Sequence, residues 1–241
     1  MIKGFQLRVT WLAALLVALG ALLLGACTSE KPGPSPTPTE TAAGIVLRAA
    51  DRMDQVKSLH FRMDSTGAPT MLVPGLAMNS AEGELAKPDK LKVTVNAKAG
   101  AAVMEVKIVA MGDATYMTNP IGGRWQALPM GYNPIAFFDP KTGISGIMRA
   151  MKDPERAGEE AIDGINSLHI KGNVDSAALV PLTGTSTPGF NIKAELWVGK
   201  EDLLVRQVRL EGRMSEAEAE NIARILKLSK FDETPTIEAP L

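Results

Sequence analysis

Residues 90–110 read KLKVTVNAKAGAAVMEVKIVA, and apolar side chains recur at every second position. Leu91, Val93, Val95 and Ala97 alternate with Lys92, Thr94 and Asn96. After Gly100, Met104, Val106 and Ile108 alternate with Glu105 and Lys107. A period of two places one set on each face of a strand, so the stretch reads as two antiparallel strands with one face in water. The pattern returns in residues 58–64, where Leu59, Phe61 and Met63 alternate with His60, Arg62 and Asp64. It returns again with Leu168 and Ile170 around His169, and with Ile192, Ala194, Leu196 and Val198 around Lys193, Glu195 and Trp197. Pro88-Asp89, Gly112-Asp113, Asn119-Pro120 and Asp163-Gly164 supply turns.

Two other segments have helical spacing. Between Thr41 and Lys57, Ile45, Ala49, Met53 and Val56 mark an amphipathic helix. Residues 133–152 suggest one helical piece near Pro134–Phe138 and another from Thr142. In the second, Ile144, Ile147, Met148 and Met151 form one apolar stripe. A one-sided sheet needs cover, and these helices are available for it. The expected fold class is α+β: a large curved antiparallel sheet, or half-barrel, with helices across its concave face. Residues 215–231 read two ways. Ser215 to Glu218 resembles a capping box continued by Ile222, Ile225 and Leu226, whereas residues 224–231 also alternate. Local propensity favours a helix to about Ile225.

The composition excludes much chemistry. The 241 residues carry a net charge of −1, with two His and one Cys. This disfavours nucleic-acid binding, internal disulfides, and Cys-based or multi-His metal centres. No nucleophile elbow, zinc-protease helix, Walker loop or dinucleotide fingerprint is present. His60 and His169 fall on polar strand faces and read as solvated residues; a hydrolase using either is the residual catalytic option. Glu159-Glu160 and Glu216, Glu218 and Glu220 read as solvated loop charges rather than a carboxylate pair or metal site. No enzyme, cofactor or metal is expected. Met53, Met63, Met71, Met78, Met104, Met117, Met148 and Met151 recur through the chain. Each alone suits an ordinary core; together they suit an adaptable apolar surface.

The N-terminus gives an address. Lys3 and Arg8 precede the apolar run WLAALLVALGALLL at 11–24, too short for a comfortable membrane span. Leu24-Gly25-Ala26-Cys27 then resembles the bacterial lipobox. The expected organisation is a signal peptide at 1–26, an acylated Cys27 (palmitate-type chains) with a Pro-rich tether to residue 40, and a domain at 41–241. Pro32, Pro34, Pro36 and Pro38 favour extended polyproline II, reaching about 40 Å. The expected location is the extracytoplasmic face of the cell membrane.

Several stretches, in order, resemble the mycobacterial LppX/LprA/LprF/LprG lipoprotein family: KSLHF at 57–61, AEGEL at 81–85, FDPKTGI at 138–144, GEEAIDGINSLHIKG at 158–172 and LSKFD at 228–232. The resemblance implies a half-barrel related in shape to the LolA/LolB carriers, with an apolar cavity between sheet and helices for the acyl chains of a lipid or glycolipid. It also implies a strand over 221–230 and no catalytic set. The expected cavity residues are Phe61, Met63, Val93, Met104, Val106, Ile108, Ile144, Ile147, Met148 and Ile170. Expected partners are the lipid or glycolipid, the membrane through Cys27, and an inner-membrane exporter; the chain is expected to be a monomer that binds no nucleic acid. The competing reading is a non-catalytic envelope adaptor or sensor for a membrane protein or exporter, which needs an exposed patch and no cavity.

Overall fold

The computed structural model describes residues 40–73, 75–128, 139, 141–180 and 186–240. Glu40–Leu241 form one compact unit. Among the described residues, both apolar clusters lie within this unit.

The chain enters through helix α1, Ala42–Gln55. The Thr41 side chain accepts a hydrogen bond from the Gly44 amide at 3.1 Å, satisfying one free donor of the first turn. Ile45, Val46, Ala49, Ala50 and Met53 form the buried stripe, in which two alanines permit close approach to the sheet. The Lys87 ammonium donates to the carbonyls of Met53 and Asp54, at 3.2 and 3.3 Å, at the helix C-terminus. Burial, the largest influence on this ammonium, pulls its pKa below the ordinary lysine value despite nearby Asp54 and Asp232.

The strands are β1 Ser58–Thr66, β2 Thr70–Val73, β3 Leu76–Ala86, β4 Lys90–Ala99, β5 Ala102–Met111, β6 Ala114–Thr118 and β7 Trp125–Ala127. After helix α2, Ile144–Arg149, come β8 Lys152–Ile162, β9 Ile165–Asp175, β10 Asn191–Gly199, β11 Val205–Glu211 and β12 Ala223–Ser229. They form one sheet in the order β7-β6-β5-β4-β3-β1-β12-β11-β10-β9-β8, with β2 paired to β3 off this path. Every neighbouring pair is antiparallel. The chain meanders from central β1 to one edge at β7. The connection bearing α2 takes it to the opposite edge, and β8 to β12 meander back to β1.

Several expectations need correction. The strand that the resemblance implies over 221–230 is present as β12 from Ala223, whereas residues 215–222 are turns and bends rather than the helix that local propensity favours. Pairing with both β1 and β11 outweighs the local helical preference. Glu159 and Glu160 are not in a loop: they lie on β8, an edge strand rich in charge and interrupted by two register shifts. Such features suit an edge that must not recruit another strand. The second middle helix is confined to six residues, leaving half-buried Met151 just beyond it. The helical piece expected near Pro134–Phe138 lies outside the described residues.

Candidate functional site: the concave face

Cross-strand register gathers the inward side chains into rows. Val106, Val95, Ala81, Met63, Leu226, Val208, Leu196 and Ile170 are successive partners across eight strands. One level towards the start of β1, Met117, Ile108, Val93, Gly83, Phe61 and Leu228 form a second row. The next level is Ala110, Leu91, Leu85 and Leu59. All these apolar side chains belong to or pack against one cluster, together with α1 and with Ile144 and Met148 of α2.

The levels differ in closure. Leu59, Leu85, Leu91 and Ala110 keep 3% or less of their surface accessible. In the two other rows Phe61, Val93, Val95, Val106, Ile108, Val208 and Leu226 each keep 5–8% and Met63 and Met117 keep more, as does nearby Met104, while Leu228, Leu196 and Ile170 keep 3% or less. Gly83 shapes this band. A Cβ there would lie 2.3 Å from the Lys92 carbonyl and 3.0 Å from the Phe61 ring, so β4 and the ring occupy its side-chain space.

Of the expected cavity residues, Phe61, Met63, Val93, Met104, Val106, Ile108, Ile144, Met148 and Ile170 share this cluster. Ile170 is sealed completely and Met148 almost so. Ile147 packs in the second cluster, with Val174, Leu179, Ile192, Ala194 and Met214. Ala81, Val95, Val208 and Leu226 belong to the same rows but are absent from the sequence-based set. Cys27 lies outside the described residues.

Helix α2 is held over the concave side by its preceding turn and by α1. Asp139 accepts from the amides of Lys141 and Thr142 at 2.8 and 3.0 Å, and from the Thr142 hydroxyl at 3.1 Å. The two amide bonds, Lys141 first, hold its carboxyl pKa below the usual aspartate value. A Cβ at Gly146 would meet the Lys141 carbonyl at 2.0 Å, so this turn packs directly on the helix. Arg149 binds Asp51 at 2.7 Å and Asp54 at 2.5 Å, joining α2 to α1. These hydrogen bonds, Asp51 first, raise the guanidinium pKa.

Above the Met63–Leu226 row, the inward face meets charge. Arg224 stands two residues before Leu226 and pairs with Glu218; their side chains are only 5% and 4% accessible. Glu218 also accepts from the Met214 amide at 2.8 Å, and Arg224 donates to the Gly212 carbonyl at 3.3 Å. Arg224 Nε is buried without a hydrogen-bond partner. Glu218 is therefore a buried ion-pair member rather than a solvated loop charge.

The opposite face is polar, but neither histidine is simply solvated. His60 is half-buried with Nε2 3.2 Å from Glu82. His169 stacks on Trp197, with ring centroids 4.3 Å apart, and its Nε2 lies 2.6 Å from Glu195. Trp197 donates to Glu160 at 2.8 Å. These partners orient the rings as a cross-strand scaffold. A cavity of about 320 Å³ borders Leu59, His60, Glu84, Lys92, Lys230 and residues 233–236. Its charged wall does not suit an acyl chain. Among the described residues, no cluster of three or more His, Cys, Asp or Glu could hold a metal, and no helix is long and apolar enough to cross a membrane.

The sequence profile of the LppX_LprAFG lipoprotein matches residues 41–237. The chain belongs to the LppX_LprAFG lipoprotein family. The Lipoarabinomannan carrier protein LprG of Mycolicibacterium smegmatis is 24% identical over 216 residues, covering 83% of this chain and 85% of that protein. Lipoprotein LprA of Mycobacterium tuberculosis is 24% identical over 203 residues, covering 78% and 82% respectively. The crystal structure of LprF from Mycobacterium bovis superposes with a TM-score of 0.67 at 16% identity, covering 83% of this chain and 96% of that one. Mycobacterium tuberculosis LppX gives a TM-score of 0.59 at 16% identity, covering 82% and 98%. This LppX_LprAFG member therefore has the open antiparallel sheet of LprF and LppX.

Proposed function

We propose that this family member is a non-catalytic lipid carrier, holding acyl chains of a lipid or glycolipid between the concave sheet and its helices. The observation that carries the reading is the continuous apolar lining of the concave face across seven strands, in which Met63, Met104 and Met117 stay half-buried rather than sealed. An acyl chain of sixteen carbons costs about 13 kcal/mol to expose to water, so carriage across an aqueous layer requires such cover. Phe61, Met63, Val93, Met104, Val106, Ile108 and Ile144 form its wall; Ile147, Met148 and Ile170 support that wall. The relatives named lipoarabinomannan carriers support a lipid-linked glycan as a cargo class. In the same proposal Cys27 carries the acyl anchor, residues 27–40 form the tether, and the monomeric domain works outside the cell membrane, receiving cargo from or delivering it to an exporter.

The domain purified from a native membrane background, extracted and analysed by mass spectrometry, is expected to yield lipid. Met104→Trp is expected to abolish loading while circular dichroism and melting stay close to wild type. Lipid-free wild-type protein with a filled concave side in a crystal structure would overturn the carrier reading and favour an adaptor.

A further inference from the structure

The end of the sheet remote from the floor carries a second surface. Three hairpins reach it: β2–β3, β4–β5 and β6–β7. Their ends, residues 66–80, 96–104 and 118–128, contain no Asp or Glu and two cations, Lys98 and Arg124. Turns at the opposite end instead mix Asp89, Asp113, Asp163, Glu201 and Asp202 with Lys87, Lys90 and Lys200.

Large apolar side chains stand outward on this acid-free rim. Val103 is 70% exposed beside exposed Ala101 and Ala102, and Ile121 is 98% exposed. Ile121 is presented by a constructed turn. Asn119 Oδ1 accepts from the amides of Ile121 and Gly122 at 2.9 and 3.2 Å, and the Gly123 amide returns to the Asn119 carbonyl at 2.8 Å. Lys98 is the direct cross-strand partner of Val103. Arg124 follows the same turn as Ile121, with half-buried Trp125 next to it. Lys98 and Arg124 are exposed and make no ion pair among the described residues. Glu105, just beyond this window, forms an exposed ion pair with Lys107 at 3.4 Å.

Apolar tips flanked by cations, without acids, match the chemistry of a bilayer with anionic headgroups. The side chains enter the headgroup boundary while Lys and Arg remain among the phosphates. We propose that this rim docks the protein on an anionic phospholipid membrane. The charge pattern distinguishes it from an apolar protein contact: acids are absent from three separate hairpin ends, whereas the neighbouring β11–β12 turn contains Glu216 and Glu220. Docking on this rim turns the mixed-charge end of the sheet away from the membrane. The inference stands on these hairpins and does not depend on cargo.

Residues 40–241 are the test molecule, which removes the expected acyl anchor. Wild type is expected to sediment with phosphatidylglycerol-containing phosphatidylcholine vesicles and to release as salt rises. Val103→Ser with Ile121→Ser is expected to lower partitioning about tenfold. Lys98→Gln with Arg124→Gln is expected to lower it about tenfold at low salt and abolish most of the salt dependence. Brominated phospholipid is expected to quench Trp125 in a Trp197→Phe background. Mass spectrometry of extracts from the same samples separates this result from carriage: lipid content is expected to be unchanged by either double variant. Equal partitioning of wild type and the Val103/Ile121 variant overturns the proposal. So does binding only to protein-containing membranes, which assigns the rim to a protein partner, or dimerisation lost in the variants, which assigns it to a second copy.

Discussion

The floor and the middle band of the concave face use similar residues on the same strands. Leu59, Leu85 and Leu91 are sealed, whereas Phe61, Val93 and Ile108 stand one row away and retain access. Cover therefore grades within rows as well as between them: Leu228, Leu196 and Ile170 share the upper rows and are as sealed as the floor. The sealed floor is suited to holding the sheet together, and the neighbouring rows carry the half-buried Met63 and Met117, with half-buried Met104 nearby. Above both lies the Arg224–Glu218 pair, which limits the apolar face with a charge shielded by protein.

That buried pair gives the strongest way to disturb the upper limit. Glu218→Ala leaves Arg224 uncompensated and is expected to cost about 3–5 kcal/mol. The Glu218→Leu/Arg224→Met double replacement is expected to recover most of the loss, because no buried charge then remains. Denaturant unfolding measures both. A single-variant loss below about 1 kcal/mol would show that the segment opens to hydrate Arg224.

Leu85→Ala and Val95→Ala directly compare floor and band. The first removes a fully sealed side chain and is expected to cost about 3 kcal/mol, lowering Tm by about 6–12 °C. The second removes a smaller side chain that is 7% accessible, and is expected to cost about 1.5–2 kcal/mol. Lipid content should change more in Val95→Ala even though its melting changes less. The opposite ranking in both measurements would reverse the assigned roles of the two rows.

The same comparison explains what was legible in the chain. β4 and β5 announce their inward faces because Leu, Val and Ile occupy alternate positions. β3 is harder to read because two inward positions are Ala81 and Gly83; Gly83 makes sense only once the Lys92 carbonyl and Phe61 ring are seen against it. On β11, the shift that pairs Val198 with Val205 and Trp197 with Gln207 breaks the period, hiding Val208 from a simple alternating reading. The helical signal at 215–225 fails because it omits two long-range strand pairings. Ile147 follows the correct helical stripe, but that stripe reaches two clusters, and sequence spacing cannot divide it between them. The resembling DPKTG and EAIDGI segments are legible for a backbone reason. Asp139 closes one turn through local hydrogen bonds, while Asp163 and Gly164 adopt positive φ in the two-residue β8–β9 turn.

Asp139 offers the gentlest way to loosen the cover without touching either row. Its amide partners depress the folded-state pKa, so its ionised form contributes stability above the ordinary aspartate pKa. As acid is added, that contribution begins to disappear near the unfolded value and is lost as pH falls through the lower folded value. Because Asp139 is exposed, the expected difference is only about 1–2 °C in Tm. Asp139→Asn keeps a carbonyl acceptor for the turn but removes this titration. Wild type should therefore exceed the variant slightly near neutrality and converge with it in acid. Parallel melting curves throughout that range would show that the ionised Asp139 does not stabilise the turn against α2. A cargo change without this convergence would instead assign the effect to the turn's shape. The pH series thus separates the charge that closes the turn from the apolar helix face it positions over the band.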